Sequence, residues 1–222
     1  MAVRHGENPH EYVRHLARLN DNQLSILQDS HHAALTFWLN LYNATVQYHL
    51  ESDPGLFDTK RRFFRKPRID VAGTALSLDA IEHGLLRHSK WKYGLGYIPS
   101  LFPSQFERRH RLQYLDPRIH FALNCGAESC PPIVAYSLAN IDAELDVSAR
   151  SFLSQSTTYD TTADVIHVSR LFLYYRGDFG GRSGIYDCLR QYDVLQRSEH
   201  PRIKYKPYDW ALHKGMYRDI PE

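Results

Sequence analysis

One stripe of apolar residues at helical spacing constrains the fold of this chain more than any other feature. The stripe lies within residues 31–50 and comprises Leu35, Leu39, Tyr42, Val46 and Leu50. Apolar residues three or four positions apart predict a helix with one buried face. The amides Asn40, Asn43 and Gln47 interrupt the run, which therefore lacks the ~20 apolar residues needed to span a bilayer. We expect a soluble globular protein built on a long buried helix, with no membrane span.

Composition narrows the class of protein further. A chain of 222 residues with 43% hydrophobic side chains can bury a full core, and its length favours one domain. Lys and Arg total 27 and Asp and Glu total 25, so the formal charge of +2 argues against nucleic-acid binding. An odd count of three cysteines and a first decad without an apolar signal core favour a cytoplasmic protein.

Helical and strand periods interleave along the chain without an internal repeat. Residues 11–27 form a helical pattern, so we assign residues 1–29 to an N-terminal helical extension and residues 30–222 to a single domain. Further helices are predicted at residues 79–88 and 140–153, and short strands at residues 68–72, 118–125 and 165–168. Few, short strands among helices predict an α+β fold, with several helices around a small mixed sheet.

The predicted strand at residues 118–125 is followed by two cysteines in different settings. Alternation places His120 and Asn124 on one face of the strand and Cys125 on the apolar face. Cys130 follows a short polar loop and precedes Pro131, a residue favoured at the first position of a helix. Cys130 is thus expected at a helix N-cap, where the helix dipole would lower the pKa of its thiol.

Three motif segments together resemble the domain of unknown function 547 family. They are residues 37–44, FWLNLYNA; residues 76–87, LSLDAIEHGLLR; and residues 116–132, DPRIHFALNCGAESCPP. The resemblance covers roughly residues 30–213 and continues through Tyr174, residues 178–179 and residues 208–210. It implies no biochemical activity, since members include isolated prokaryotic domains and C-terminal domains of larger eukaryotic proteins. His213 stands where the family tail usually has Asn.

A thiolate enzyme also needs a base and a group that orients it. We assign Cys130 as the candidate nucleophile, His120 or His83 as its base, and Glu82 or Asn124 as the orienting group. The resemblance, rather than spacing, singles out these two histidines among 13. Each of these residues also has a structural interpretation, as a packed cysteine or a hydrogen-bonded histidine. Cys125 and Cys188 are expected to be core residues.

Other polar residues are candidates for substrate contacts or for loop support. Asn40 and Asn43 share a helix face and either fasten loops or contact substrate, and Asn124 and Ser129 join them as binding candidates. No cofactor motif is present, and the cysteine and histidine spacing lacks a second metal-ligating pair, so neither a metal nor a cofactor is expected. The basic run at residues 60–66 could touch RNA or acidic lipid, although a solvated loop is favoured.

Two functions remain open, and the sequence leaves undecided whether the protein is an enzyme. The first is a thiol-dependent hydrolase or acyl transferase, with a distant papain-like or transglutaminase-like arrangement and a protein or small-molecule substrate. The second is a non-catalytic protein-binding or scaffolding module with a structural polar cluster. In either case the polar motif residues are expected to converge, and Trp210 is expected to be buried. Cys130 is expected to alkylate fastest of the three thiols.

Overall fold

The computed structural model describes residues 3–219, and helix α3, His31–Ser52, lies at its centre. The helix begins at Ser30, whose side-chain oxygen accepts a hydrogen bond from the Ala33 N–H at 3.2 Å. All five residues of the apolar stripe are buried. The long buried helix predicted from that stripe is therefore confirmed.

Two short helices precede α3 and pack against it. Helix α1 is His10–Arg18, and helix α2 is Asp21–Asp29, which begins at a reciprocal cap between Asn20 and Gln23. Apolar residues of this region contact the main hydrophobic cluster: Leu16, Leu19, Leu24 and Leu27. The helical pattern predicted at residues 11–27 thus forms two helices.

The remaining helices are short, apart from α6. They are α4, Lys60–Arg65; α5, Gln105–His110; α6, Ile141–Ser156; α7, Leu171–Tyr174; and α8, Gly181–Gln191. Two 3₁₀ helices occupy Pro54–Thr59 and Pro117–Phe121, and a π-helix occupies Ala80–Leu86. A π-helix is rare and often occurs at functional sites, and this one carries Glu82 and His83.

The strands form two small sheets. Strands β1, Pro67–Val71, and β2, Thr74–Ser77, make an antiparallel hairpin. Its turn is formed by Ala72 and Gly73, both with positive φ. In the second sheet β4, Val165–Val168, pairs antiparallel with β3, Thr158–Asp160, and parallel with β5, Arg202–Tyr205. The α+β class predicted from the sequence is confirmed.

The strand predicted at residues 118–125 is wrong. Pro117 sets the backbone for a helical turn, and the Asp116 side chain accepts the Arg118 N–H at 2.9 Å, so a 3₁₀ helix forms instead. No helix follows Cys130 either, because the described residues 131–138 are irregular. Cys125 therefore does not lie on the apolar face of a strand, and Cys130 is not the N-cap of a helix. Both predictions are wrong.

The core divides into two hydrophobic clusters. One surrounds α3 and includes the β1–β2 hairpin and the π-helix, and the other joins α6, α8 and the second sheet. The segment from the 3₁₀ helix to Cys130 runs between them, since Ile119 belongs to the first cluster and Phe121 to the second. Within residues 3–219, no helix combines the length and apolarity needed to cross a membrane.

Candidate functional site

A cavity of about 380 Å³ opens beside the motif segments. The α3 helix, the π-helix, the segment after the 3₁₀ helix, α7 and the C-terminal tail contribute to its wall. The residues on it that can bond or titrate are Tyr42, Asp79, Glu82, His83, Lys92, Tyr93, His120, Cys125, Tyr174, Tyr175, Tyr208 and Trp210. A mostly apolar cavity of this size with a few convergent polar groups is typical of small-molecule sites.

Two cysteines meet at the cavity wall. Cys125 is partly exposed and lines the cavity, whereas Cys130 is buried behind it and is not a lining residue. Their sulfur atoms are 2.9 Å apart, and the Cys130 sulfur also accepts hydrogen bonds from the Cys125 N–H at 3.1 Å and the Tyr208 hydroxyl at 3.2 Å. Cys125 therefore packs at the edge of the core and is partly exposed, whereas the sequence predicted a buried core residue.

The surroundings shift the pKa values of the two thiols in opposite directions, so that Cys130 is the stronger acid. Burial alone would raise the pKa of Cys130, but hydrogen bonds with the Cys125 thiol, the Tyr208 hydroxyl and the backbone of Cys125 and Ala127 outweigh burial and lower it. The hydrogen bond to Cys130 and burial together raise the pKa of Cys125 well above its usual range. The pair therefore ionises first at Cys130, and the Cys125 S–H donates to that thiolate. Burial raises the pKa of Cys188 to about 12.

His120 lines the same cavity and is held by a buried carboxylate. Its Nε2 lies 2.9 Å from Asp178 Oδ2, and its ring stacks on Tyr175 with centroids 3.9 Å apart. Burial lowers the pKa of His120 despite the opposing effect of Asp178, so the imidazole is neutral near pH 7. With Nε2–H donating to Asp178, Nδ1 keeps the lone pair and can accept a proton.

A buried arginine links His120 to the other candidate histidine. Arg87 is fully buried, and its Nε lies 2.6 Å from Asp178 Oδ2 while its Nη1 donates to His83 Nδ1 at 2.9 Å. Its guanidinium also lies 4.7 Å from the centre of the Tyr175 ring. Asp178 stays ionised, because hydrogen bonds from His120 and Arg87 outweigh burial and lower its pKa.

Glu82 lies beside two tyrosine hydroxyls and the His83 ring, whose Nδ1 is 3.5 Å from Glu82 Oε1. Its carboxylate accepts hydrogen bonds from the Tyr175 hydroxyl at 2.7 Å and the Tyr42 hydroxyl at 3.2 Å. Burial favours the neutral acid, but the charges of His83 and Arg87 and the Tyr175 bond lower the pKa of Glu82 overall. Glu82 therefore adds negative charge to the wall of the cavity.

The structure brings most of the predicted catalytic residues to one cavity, but it does not join them as a triad. Glu82, His83 and His120 line the cavity with Cys125, and Cys130 lies directly behind. Within residues 3–219, no hydrogen bond connects either of these thiols to an imidazole. The predicted pairing of Cys130 with a histidine base thus has no hydrogen bond to support it.

The predicted substrate-binding residues lie behind the wall, where they fasten loops. Asn40 exchanges two hydrogen bonds with the backbone of Tyr136, and Asn43 bonds the Ala122 carbonyl and the Asn124 N–H, each at 2.9 Å. Asn124 binds the Pro131 carbonyl and the Gly126 N–H. The Ser129 hydroxyl accepts the Asp209 N–H at 2.8 Å, which attaches the tail.

Replacing Asn43 with alanine should lower the free energy of unfolding by about 2–4 kcal/mol, because a buried N–H and a buried carbonyl lose their partner. Denaturant unfolding of the variant measures the change. Asn22→Ala is the matched control, since Asn22 is an exposed helical amide whose side chain makes no hydrogen bond within residues 3–219. Equal stabilities of the two variants would contradict the fastening role of Asn43.

Several residues of the site were not assigned to it from the sequence. Tyr208 bonds Cys130, and Asp178 holds both His120 and Arg87, yet their motif segments carried no role. The sequence signal that could have identified Asp178 and Tyr208 was that both lie in segments shared with the family. Trp210 is 42% exposed at the cavity mouth, so its predicted burial is wrong.

The described residues contain no group of three or more His, Cys, Asp or Glu side chains arranged to hold a metal ion.

Comparison with known proteins identifies one family and nothing more specific. No curated protein and no solved structure matches the chain, so the papain-like or transglutaminase-like arrangement stays a prediction. The model of a protein family of unknown function, DUF547, matches residues 26–153. Since that span is more than half of the sequence and carries all three motif segments, the chain belongs to the DUF547 family.

Proposed function

We propose that the protein is a thiol-dependent hydrolase or acyl transferase in which Cys125 is the nucleophile and Cys130 accepts its proton. One observation carries the proposal: the cavity-lining thiol of Cys125 lies 2.9 Å from the Cys130 sulfur, whose pKa hydrogen bonds lower. The sequence favoured Cys130 as the nucleophile. We assign Cys125 instead, because a substrate in the cavity would contact Cys125 first.

The first half-reaction transfers an acyl group to Cys125. The Cys125 sulfur attacks the acyl carbon and forms a carbon–sulfur bond with it. At the same time the Cys125 proton passes to the Cys130 thiolate. The bond between the acyl carbon and the leaving atom then breaks, and the leaving atom takes the proton from Cys130. This step ends with a thioester at Cys125 and a thiolate at Cys130.

The second half-reaction uses the histidine on the same wall. His120 is neutral and presents Nδ1 as a base, with Asp178 holding its tautomer. Water, or an acceptor hydroxyl or amine in a transfer reaction, attacks the thioester and gives a proton to Nδ1. That proton returns to the Cys125 sulfur as the carbon–sulfur bond breaks. His83 and Glu82 are positioning residues that support Arg87 and Tyr175.

Alkylation with iodoacetamide, followed by peptide mass spectrometry across neutral and alkaline pH, tests the order of thiol reactivity. We expect Cys125 to label first, because it lines the cavity and can pass its proton to the Cys130 sulfur 2.9 Å away as the carbon–sulfur bond forms. In Cys130→Ser, labelling of Cys125 near pH 7 should fall at least about tenfold, since the Cys125 thiol loses the sulfur that accepts its proton.

Cys188 is the internal control, because burial raises its pKa and it packs in the second cluster away from the cavity. Faster labelling of Cys130 than Cys125 would reverse the assigned roles. Equal and slow labelling of all three thiols would instead favour the second function, a binding module whose polar groups hold loops in place.

A further inference from the structure

An apolar surface stands out on the loop at residues 91–102, which borders the cavity. Six of its exposed side chains are Trp91, Tyr93, Tyr97, Ile98, Leu101 and Phe102, and the last two are 80% and 91% exposed. Half of the exposed large apolar side chains of residues 3–219 lie within these twelve positions. Single exposed apolar residues are ordinary on a protein surface, but such a concentration marks an interaction site.

The loop is held in place by its backbone. The Trp91 N–H bonds the Ile98 carbonyl at 2.9 Å, and the Gly177 N–H bonds the Leu95 carbonyl at 2.7 Å. Gly96 and Gly177 approach so closely that a Cβ on Gly177 would overlap the Gly96 carbonyl carbon. Because the loop is anchored beside Asp178, the exposure of its apolar side chains is a feature of the fold.

A cluster of cations lies beside this loop. The Lys92 ammonium is 5.8 Å from the centre of the Phe64 ring, which places helix α4 next to the loop, and both residues line the cavity. Phe63 and Phe64 anchor α4 in the core, while its polar face is exposed. That face and the residue after it present Arg61, Arg62, Arg65 and Lys66, which form no ion pair within residues 3–219.

We propose that the loop at residues 91–102 and helix α4 together dock this protein on an anionic phospholipid bilayer. Leu101 and Phe102 enter the acyl region, and the amphipathic rings of Trp91 and Tyr97 lie at the headgroup level. The unpaired arginines of α4 bind the lipid phosphates and carboxylates. Docking places the mouth of the cavity at the membrane surface.

The shape of the surface favours lipid over a protein partner. Leu101 and Phe102 protrude with almost their whole area in solvent, whereas anchors of protein interfaces pack into fitted pockets. Protruding apolar side chains flanked by aromatic rings and unpaired cations match the layered chemistry of a bilayer surface instead.

Co-sedimentation with vesicles tests the proposal. The full chain should bind vesicles of phosphatidylcholine mixed with phosphatidylserine, bind phosphatidylcholine alone at least about tenfold less, and dissociate as salt rises. The double variant Leu101→Ser with Phe102→Ser should bind the mixed vesicles at least about tenfold less than the unmodified chain. The set Arg61→Gln, Arg62→Gln and Arg65→Gln should remove the preference for phosphatidylserine.

Ile26→Ser with Leu138→Ser is the matched control, because these side chains are 65% and 56% exposed outside the surface. The control should bind like the unmodified chain. The proposal is overturned if the mixed vesicles are not bound, or if the control loses binding equally. It is also overturned if the loop variant instead abolishes self-association in size-exclusion chromatography, or binding to a single-stranded RNA oligonucleotide.

Discussion

Replacing Cys125 with serine is expected to lower the rate of hydrolysis of a thioester or p-nitrophenyl ester by roughly 10³-fold or more. The serine hydroxyl is a far weaker nucleophile and cannot be ionised by a neighbouring thiolate. Cys130→Ser should cost about 10²-fold, the usual contribution of a proton acceptor, and should move the pH optimum upward. A steady-state assay across pH separates the two effects, because only the Cys130 variant recovers activity in alkali.

Cys188→Ser is the control for this assay. Cys188 packs in the second hydrophobic cluster and does not line the cavity, so the variant should retain full activity. If Cys125→Ser hydrolyses the ester as fast as the unmodified protein, the thiol mechanism is wrong. Since esters also hydrolyse at unspecific surface groups, inhibition of the unmodified protein by iodoacetamide must accompany the loss.

Replacing Arg87 with methionine is expected to lower the free energy of unfolding by about 3–5 kcal/mol, because the buried Asp178 carboxylate loses its permanent cation. Both side chains are fully buried, and their closest atoms are 2.6 Å apart. In a domain of this size about 1 kcal/mol corresponds to roughly 2–4 °C, so the melting temperature should fall by roughly 6–20 °C. Thermal unfolding followed by circular dichroism measures the shift.

A surface ion pair provides the comparison. Arg150 and Asp193 have side chains that are 58% and 85% exposed, so Arg150→Met should change stability by less than about 1 kcal/mol. Adding Asp178→Asn to Arg87→Met should restore part of the loss, since the uncompensated charge disappears. A double variant no more stable than Arg87→Met would show that packing of the guanidinium, rather than charge, is what the fold requires.

Periodicity predicted only part of the regular structure, since the pattern at residues 11–27 forms two helices and the strand predicted at residues 118–125 is absent. The stripe on α3 and the strand at β4 follow from spacing alone, because each buries one face or both faces of a regular backbone. The 3₁₀ helix at Pro117–Phe121 was predicted as a strand because its residues also alternate in polarity. The competing signal was local, since Asp116 and Pro117 start a helical turn whatever the period of the following side chains.

The candidate site could be predicted only in part. The motif segments identified Glu82, His83, His120 and Cys130, whereas Cys125 was expected in the core, and the structure places all five at or directly behind the cavity wall. Which cysteine faces the cavity depends on the irregular path of residues 122–130, and hydrogen bonds to distant residues fix that path. No periodic pattern describes such a segment. Asp178 and Tyr208 enter the site for the same reason, through contacts 58 and 78 positions away in sequence.

The side-chain amides of α3 have a consequence for the order of folding. Asn43 bonds the Asn124 N–H across 81 positions, and Asn40 bonds the Tyr136 N–H across 96, so one helix holds two loops that are distant from it in sequence. Contacts of this separation form late, after the chain has already closed large loops. We therefore expect the cavity wall to form late in folding, and the amide hydrogens of Asn124 and Tyr136 to exchange with solvent only when their hydrogen bonds to α3 open.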